Sequence, residues 1–129
     1  MKQEDKELLL KDLCARSPYG VNMKTCHCKL TETLKTYMDI NHLIDIGWLP
    51  YLRPMSSMTE EELYKFSYLM QQPNVSEIKK WLYSQEMSLI TFEDSLIAFD
   101  WLNAHLFDYR GLIEKGLALE APKDMYNIK

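Results

Sequence analysis

The spacing of apolar residues changes period twice along this chain, and that change constrains the fold more than any single motif. Up to residue 16 the spacing is helical: Leu9, Leu10, Leu13 and Cys14 fall at i, i+1, i+4 and i+5 among charged neighbours, which predicts a helix over residues 3–16. Ser17-Pro18-Tyr19-Gly20 ends it. From Val21 to Leu52 the period drops to two. Val21, Met23 and Thr25 alternate with polar residues, the Thr-rich LTETLKTYM follows, and Ile40, His42, Ile44 and Ile46 share one side of a third run. These runs predict a small antiparallel sheet of three or four short strands within residues 20–54. Pro50 and Pro54 bracket Tyr-Leu-Arg, which places that tripeptide on an edge or connector.

Helical spacing then returns for residues 59–121. In MSSMTEEELYKF, Thr59 and Glu62 form a capping box, Met58 and Leu63 occupy the staple positions, and three glutamates sit at the positive end of the helix dipole. Leu63, Phe66 and Met70 are its buried stripe. A second helix is predicted from Ser76, with Ile78, Trp81 and Leu82 inward, and a third from Thr91, with Asp94 at N3. Apolar residues surround the third (Phe92, Leu96, Ile97, Phe99, Trp101, Leu102, Leu106), so it is expected to be the most buried element. The expected architecture is one α+β domain over residues 1–129: a helix, a small antiparallel sheet and a helical C-terminal half. At 129 residues and 47% hydrophobic content, the chain has enough apolar mass for such a core.

Charge narrows the partners. Residues 55–129 carry seven basic and twelve acidic groups, whereas residues 17–54 carry four and three. Phosphate binding calls for a basic face, and no Lys/Arg cluster exceeds Lys79-Lys80. An acidic half is read first as a solvated surface that keeps the protein soluble, and it also suits a basic partner. The N-terminus lacks the unbroken apolar run of a signal peptide, and no stretch approaches the roughly 20 apolar residues of a membrane span. The protein is therefore expected in the cytoplasm, with its three cysteines reduced.

Catalytic and metal motifs are sparse. His105, Asp108, Tyr109 and Arg110 lie within six residues, and His105 with Asp108 at i, i+3 could supply an acid–base pair. The stronger reading is a helix terminus: His and Arg favour the negative dipole end, Gly111 and Gly116 offer left-handed caps, and Asp108 locks the turn through Arg110 or a backbone amide. Cys26-His27-Cys28 lacks the two-to-four-residue spacing of a zinc pair, and Cys14, His42 and His105 do not complete a ligand set. No phosphate loop or nucleophile elbow is present. Neither a metal nor a cofactor is expected, and no enzymatic activity. The aromatic residues are read as core in preference to a stacking platform for single strands.

Candidate partner contacts are Tyr19, Trp48, Tyr51 and Arg53, read as exposed in rigid connectors beside prolines and glycines, with packing of the same aromatics onto the adjacent helices as the equal alternative. To these are added the acidic groups Glu60, Glu61, Glu62, Glu93 and Asp94, which could enter a basic groove. A nucleic-acid-associated regulator using Lys24, Lys29, Lys35 and Arg53 is the alternative, and a small enzyme around His105 a minority reading.

Three segments, KELLLKDLCARSPYGV, PYLRPMSSMTEEE and LNAHLFDYRGLIEKGLALEAPKDMY, bracket the chain. Together they resemble an uncharacterised family of short proteins encoded by prophages and other mobile elements of gut-type Bacteroidota; Asn22 to Ile46 matches less clearly. The resemblance carries no catalytic residue with it. It implies a small accessory protein acting in a bacterial cytoplasm on behalf of a phage. That context, with the small size, the lack of a legible active site and the acidic C-terminal half, leads to the expectation of a non-enzymatic factor that binds and blocks a host protein, with antiviral nucleases such as CRISPR effectors among the targets.

Overall fold

The computed structural model describes residues 2–25, 31–35, 37–70 and 92–126. Among these, α1 (Gln3–Arg16) leads through a 3-10 turn, Ser17–Tyr19, into β1 (Asn22–Lys24) and β2 (Thr31–Thr33). Next come α2 (Ile40–Asp45), β3 (Leu49–Leu52), a second 3-10 turn at Met55–Ser57, α3 (Glu60–Leu69), α4 (Phe92–Ala104) and β4 (Leu119–Glu120). The fold is α+β with an N-terminal helix. The helix predicted from Ser76, with Ile78, Trp81 and Leu82, lies outside the described residues, as does the Cys26-His27-Cys28 stretch.

The sheet has the order β2-β1-β3-β4 and is mixed, not purely antiparallel. β1 pairs antiparallel with β2 and β3, while β4 joins β3 in parallel. A parallel partner needs a long crossover, and here everything between β3 and β4 serves as one. β3 is therefore internal, which corrects the expectation that prolines confine this stretch to an edge. The Leu52 carbonyl accepts from Ala121 beside β4, and by the two-residue period Pro50 faces the same way. Pairing with β4 begins only at Tyr51, so the missing N–H of Pro50 costs no ladder bond.

The third predicted strand is also corrected: residues 40–45 are helical. Asp39 caps α2 by accepting from the His42 amide at 3.3 Å, and Ile40, Leu43 and Ile44 supply an i, i+3, i+4 inner stripe. A Schellman motif closes it. Gly47 is left-handed at φ 91°, its amide bonds Ile44 O, and the Trp48 amide bonds Leu43 O.

Two hydrophobic clusters hold the molecule. The first joins α1, β1, α2 and the C-terminal turns through residues such as Leu9, Leu13, Met23, Ile44 and Leu112. The second packs Leu63, Phe66 and Met70 of α3 on Ala98 and Leu102 of α4, with Phe107. Each fully buried side chain of this size contributes about 1.5–3 kcal/mol. The capping box at the start of α3 forms as the sequence predicts: Thr59 Oγ1 accepts from the Glu62 amide at 3.1 Å, and Glu62 Oε1 accepts from the Thr59 amide at 3.0 Å.

Two burial expectations fail. In α1 the inner stripe is Leu9, Asp12, Leu13 and Arg16, and Cys14 is exposed. Burying two opposite charges together lets the stripe rotate away from the all-apolar face. In α4, Leu96 and Ile97 are exposed, because Ala98 and Leu102 already fill the interface with α3.

Candidate functional site

The 105–113 segment is a joint between the two clusters. α4 ends in a second Schellman motif, with the Leu106 amide on Asn103 O and the Phe107 amide on Leu102 O. The left-handed position is Leu106 at φ 61°, not the glycine expected there. That turn sends the Leu106 side chain into the first cluster and Phe107 into the second. Packing on both sides thus offsets a backbone conformation that disfavours leucine. Gly111 and Gly116, at φ 74° and 76°, serve the next turns downstream. Gly116 caps the 112–115 turn, donating to Ile113 O while Leu117 donates to Leu112 O.

Asp108 is buried, and its two oxygens accept from the amides of Leu112 (2.8 Å) and Ile113 (3.0 Å). His105 takes a different partner. Its ring stacks on Trp101 with centroids 4.0 Å apart, and Nδ1 lies 2.9 Å from the Trp101 carbonyl. A carbonyl only accepts, so Nδ1 is the donor of that bond. The structure does not bring His105 and Asp108 together as an acid–base pair.

Arg110 reaches α1 instead of Asp108. Asp12 Oδ1 accepts from Arg110 Nε at 3.0 Å and Asp12 Oδ2 from Arg16 Nε at 2.8 Å. Arg16 Nη2 donates to Phe107 O at 2.7 Å, and Arg110 Nη2 donates to the Tyr109 hydroxyl at 2.9 Å. Asp12 and Arg16 are both 0% exposed. Sequence reading missed this network, whose one legible signal is an Asp–Arg pair at i, i+4 sharing the stripe of Leu9 and Leu13.

Of the proposed partner contacts, several are structural. Arg53 donates to both Glu62 oxygens at 2.7 Å and lies over the Phe107 ring at 4.2 Å. Burial alone would raise the Glu62 pKa, but the Arg53 fork and the Thr59 amide hold it below the ordinary carboxylate value. This corrects the reading of Arg53 as an exposed residue, and Glu62 is paired with it in place of standing free. Trp48 is half-buried against the first cluster, and Tyr51 is half-buried in β3. Tyr19 is exposed, with its hydroxyl donating to Asp100, and that carboxylate holds the phenol above its ordinary value of 10.0. Glu60 and Glu61 are exposed in the first turn of α3. Glu93 and Asp94 fall in the first turn of α4, and their side chains lie outside the described part, as does Lys29.

Two surface features collect what remains. A cleft of about 520 Å³ is lined by Arg53, Ser57, Glu61, His105 and the C-terminal residues Glu120–Asp124 and Tyr126. Beside it, Tyr64, Tyr68 and Leu69 of α3 and Trp101 of α4 line a shallow groove of about 710 Å³. Tyr64 is 67% exposed and Tyr68 88%. Leu96 and Ile97 extend the apolar surface along α4, Ile97 one turn from Trp101. Buried stripes are readable from periodicity. The sequence reading placed the aromatics in the core as a class; Tyr64 and Tyr68 correct it, because they lie off the buried stripe of Leu63 and Phe66.

No helix among the described residues is long and apolar enough to cross a membrane. Comparison with protein-family models, with curated proteins and with solved structures finds no match to this chain.

Proposed function

We propose that the protein is a non-enzymatic binding module that docks a basic partner protein on its α3–α4 face. The observation that carries this reading is the exposed row of Tyr64, Tyr68 and Leu69 over Trp101. Large apolar side chains left in solvent as one patch are costly unless a partner covers them, and tyrosine is the residue type that interfaces use as anchors. Glu60 and Glu61 flank the row on the same helix, and the acidic excess of residues 55–129 sets the sign of the partner. A phage accessory factor that occupies the basic nucleic-acid groove of a host antiviral nuclease is the sharp form of the reading.

The test is a tagged pull-down from bacterial lysate, with and without nuclease, using wild type, Tyr64→Ala/Tyr68→Ala and Glu60→Lys/Glu61→Lys. The expected result is one nuclease-resistant basic protein that both double variants lose by at least about tenfold. A partner retained equally by all three proteins, or recovery that vanishes with nuclease, overturns the proposal.

A further inference from the structure

The hydroxyl of Tyr126 stands where a backbone hydrogen bond of the sheet belongs. β1 and β3 pair Lys24 with Leu49 and Met23 with Pro50, so the continuing register sets Asn22 opposite Tyr51. There the Asn22 amide donates to the Tyr126 hydroxyl at 2.8 Å, and that hydroxyl donates to the Tyr51 carbonyl at 2.7 Å. Two residues after Tyr51, β3 has changed partners: the Arg53 amide donates to Leu106 O, and Arg53 O accepts from the Asp108 amide, both at 2.8 Å. The phenol fills the gap where β3 passes from β1 to the 106–108 segment.

On its opposite edge β3 is held by the same stretch of chain. Tyr51 and Leu52 pair in parallel with Leu119 and Glu120, and the Ala121 amide donates to Leu52 O at 2.8 Å. Residues 119–126 thus grip β3 from both sides. The grip is thin. Leu117 and Ala118 are the last buried residues of the described chain, and from Leu119 to Tyr126 every residue is half-buried or exposed. Between β4 and the phenol come Pro122, which has no amide to donate, and Asp124 in a left-handed conformation at φ 73°. Burial pushes the Tyr126 pKa up to about 12, so the bridging hydroxyl keeps its proton at any physiological pH.

We propose that Leu119–Tyr126 is a strap that opens as a unit about Ala118, latched by the Tyr126 hydroxyl, and that opening bares the Tyr51–Leu52 edge of β3 to an incoming extended peptide. The edge would take that peptide in the parallel sense the strap itself uses, with main-chain hydrogen bonds to β3 and an aromatic hydroxyl placed as Tyr126 is. The strap also forms one wall of the cleft that contains Arg53 and His105, so opening removes that cleft. This edge is separate from the α3–α4 face, and its test does not depend on that reading.

The experiment is native-state amide exchange on the full chain, wild type and Tyr126→Phe, together with binding of a labelled peptide of the strap sequence Leu119–Tyr126, LEAPKDMY. In the wild type, the Ala121 and Asn22 amides are expected to exchange at matching rates, at least about tenfold faster than the Leu34 amide of the β1–β2 pairing. Tyr126→Phe is expected to speed Ala121, whose amide bonds Leu52 O and not the phenol, by about tenfold while leaving Leu34 unchanged. The peptide is expected to bind Tyr126→Phe about tenfold more tightly than wild type. Exchange of Ala121 at the Leu34 rate in the wild type overturns the proposal without recourse to the variant. So does a variant in which Asn22 alone speeds up, or one that opens at Ala121 but binds no peptide.

Discussion

Replacing Asp12 by alanine tests the network that ties α1 to the C-terminal turns. The substitution removes the carboxylate that accepts from Arg16 at 2.8 Å and from Arg110 at 3.0 Å. Arg16 is then left 0% exposed without its carboxylate partner, keeping its bond to Phe107 O and its place over the Tyr109 ring, 5.3 Å from the centroid. Its Nη1 already has no partner among the described residues. Breaking a buried pair on one side costs about 3–5 kcal/mol, because the surviving charge stays desolvated. Domains of this kind have total stabilities of about 5–15 kcal/mol, so the loss is a large fraction of the whole. The expected melting temperature falls by roughly 10–20 °C. Urea unfolding should show a lower midpoint at unchanged slope, which marks a change in stability with the same surface exposed. Asp12→Leu combined with Arg16→Leu should be less damaging than Asp12→Ala, since no buried charge is then orphaned at position 16. A loss below about 1 kcal/mol for Asp12→Ala, or a double variant less stable than the single one, would refute the reasoning.

Other outcomes follow from the same geometry. Glu62 has a folded pKa below its ordinary value of 4.5, so its contribution to stability is present above that value and is lost as pH falls through the folded pKa. Glu62→Gln should therefore flatten the acid limb of a stability-against-pH curve below about pH 4.5, and an unchanged limb would contradict the Arg53–Glu62 assignment. Gly111→Ala should cost about 1–2 kcal/mol in urea unfolding: an added Cβ meets nothing within 4 Å, so only the φ of 74° resists it. Tyr68→Ala should leave the unfolding free energy in urea unchanged within about 0.5 kcal/mol, since the residue is 88% exposed; a larger loss would mean that the side chain packs within the fold and is not held for a partner.

Much of the local structure was legible in the sequence. Helix α1, the breaker at Ser17–Gly20, the capping box at Thr59 and Glu62 and the stripe of Leu63, Phe66 and Met70 all rest on interactions spanning a few residues, which composition and spacing encode directly. The N-cap of α2 was equally local, but the isoleucines at 40, 44 and 46 fit a two-residue period as well as a helical one. Only packing against α1, sealed by the Lys6–Asp45 ion pair, decides between them.

The sequence by itself determined the α+β class, the ends of α1 and the start of α3, because hydrophobic period and capping are properties of neighbouring residues. Tertiary structure alone decided that β3 is internal, that Asp12 and Arg16 are buried, that Leu106 stands in a left-handed turn and that Tyr126 replaces a rung of the sheet. Each of these joins residues between 25 and 104 positions apart, or balances a local cost against packing from both clusters. Such a balance depends on which distant groups arrive, so no window of neighbouring residues contains it.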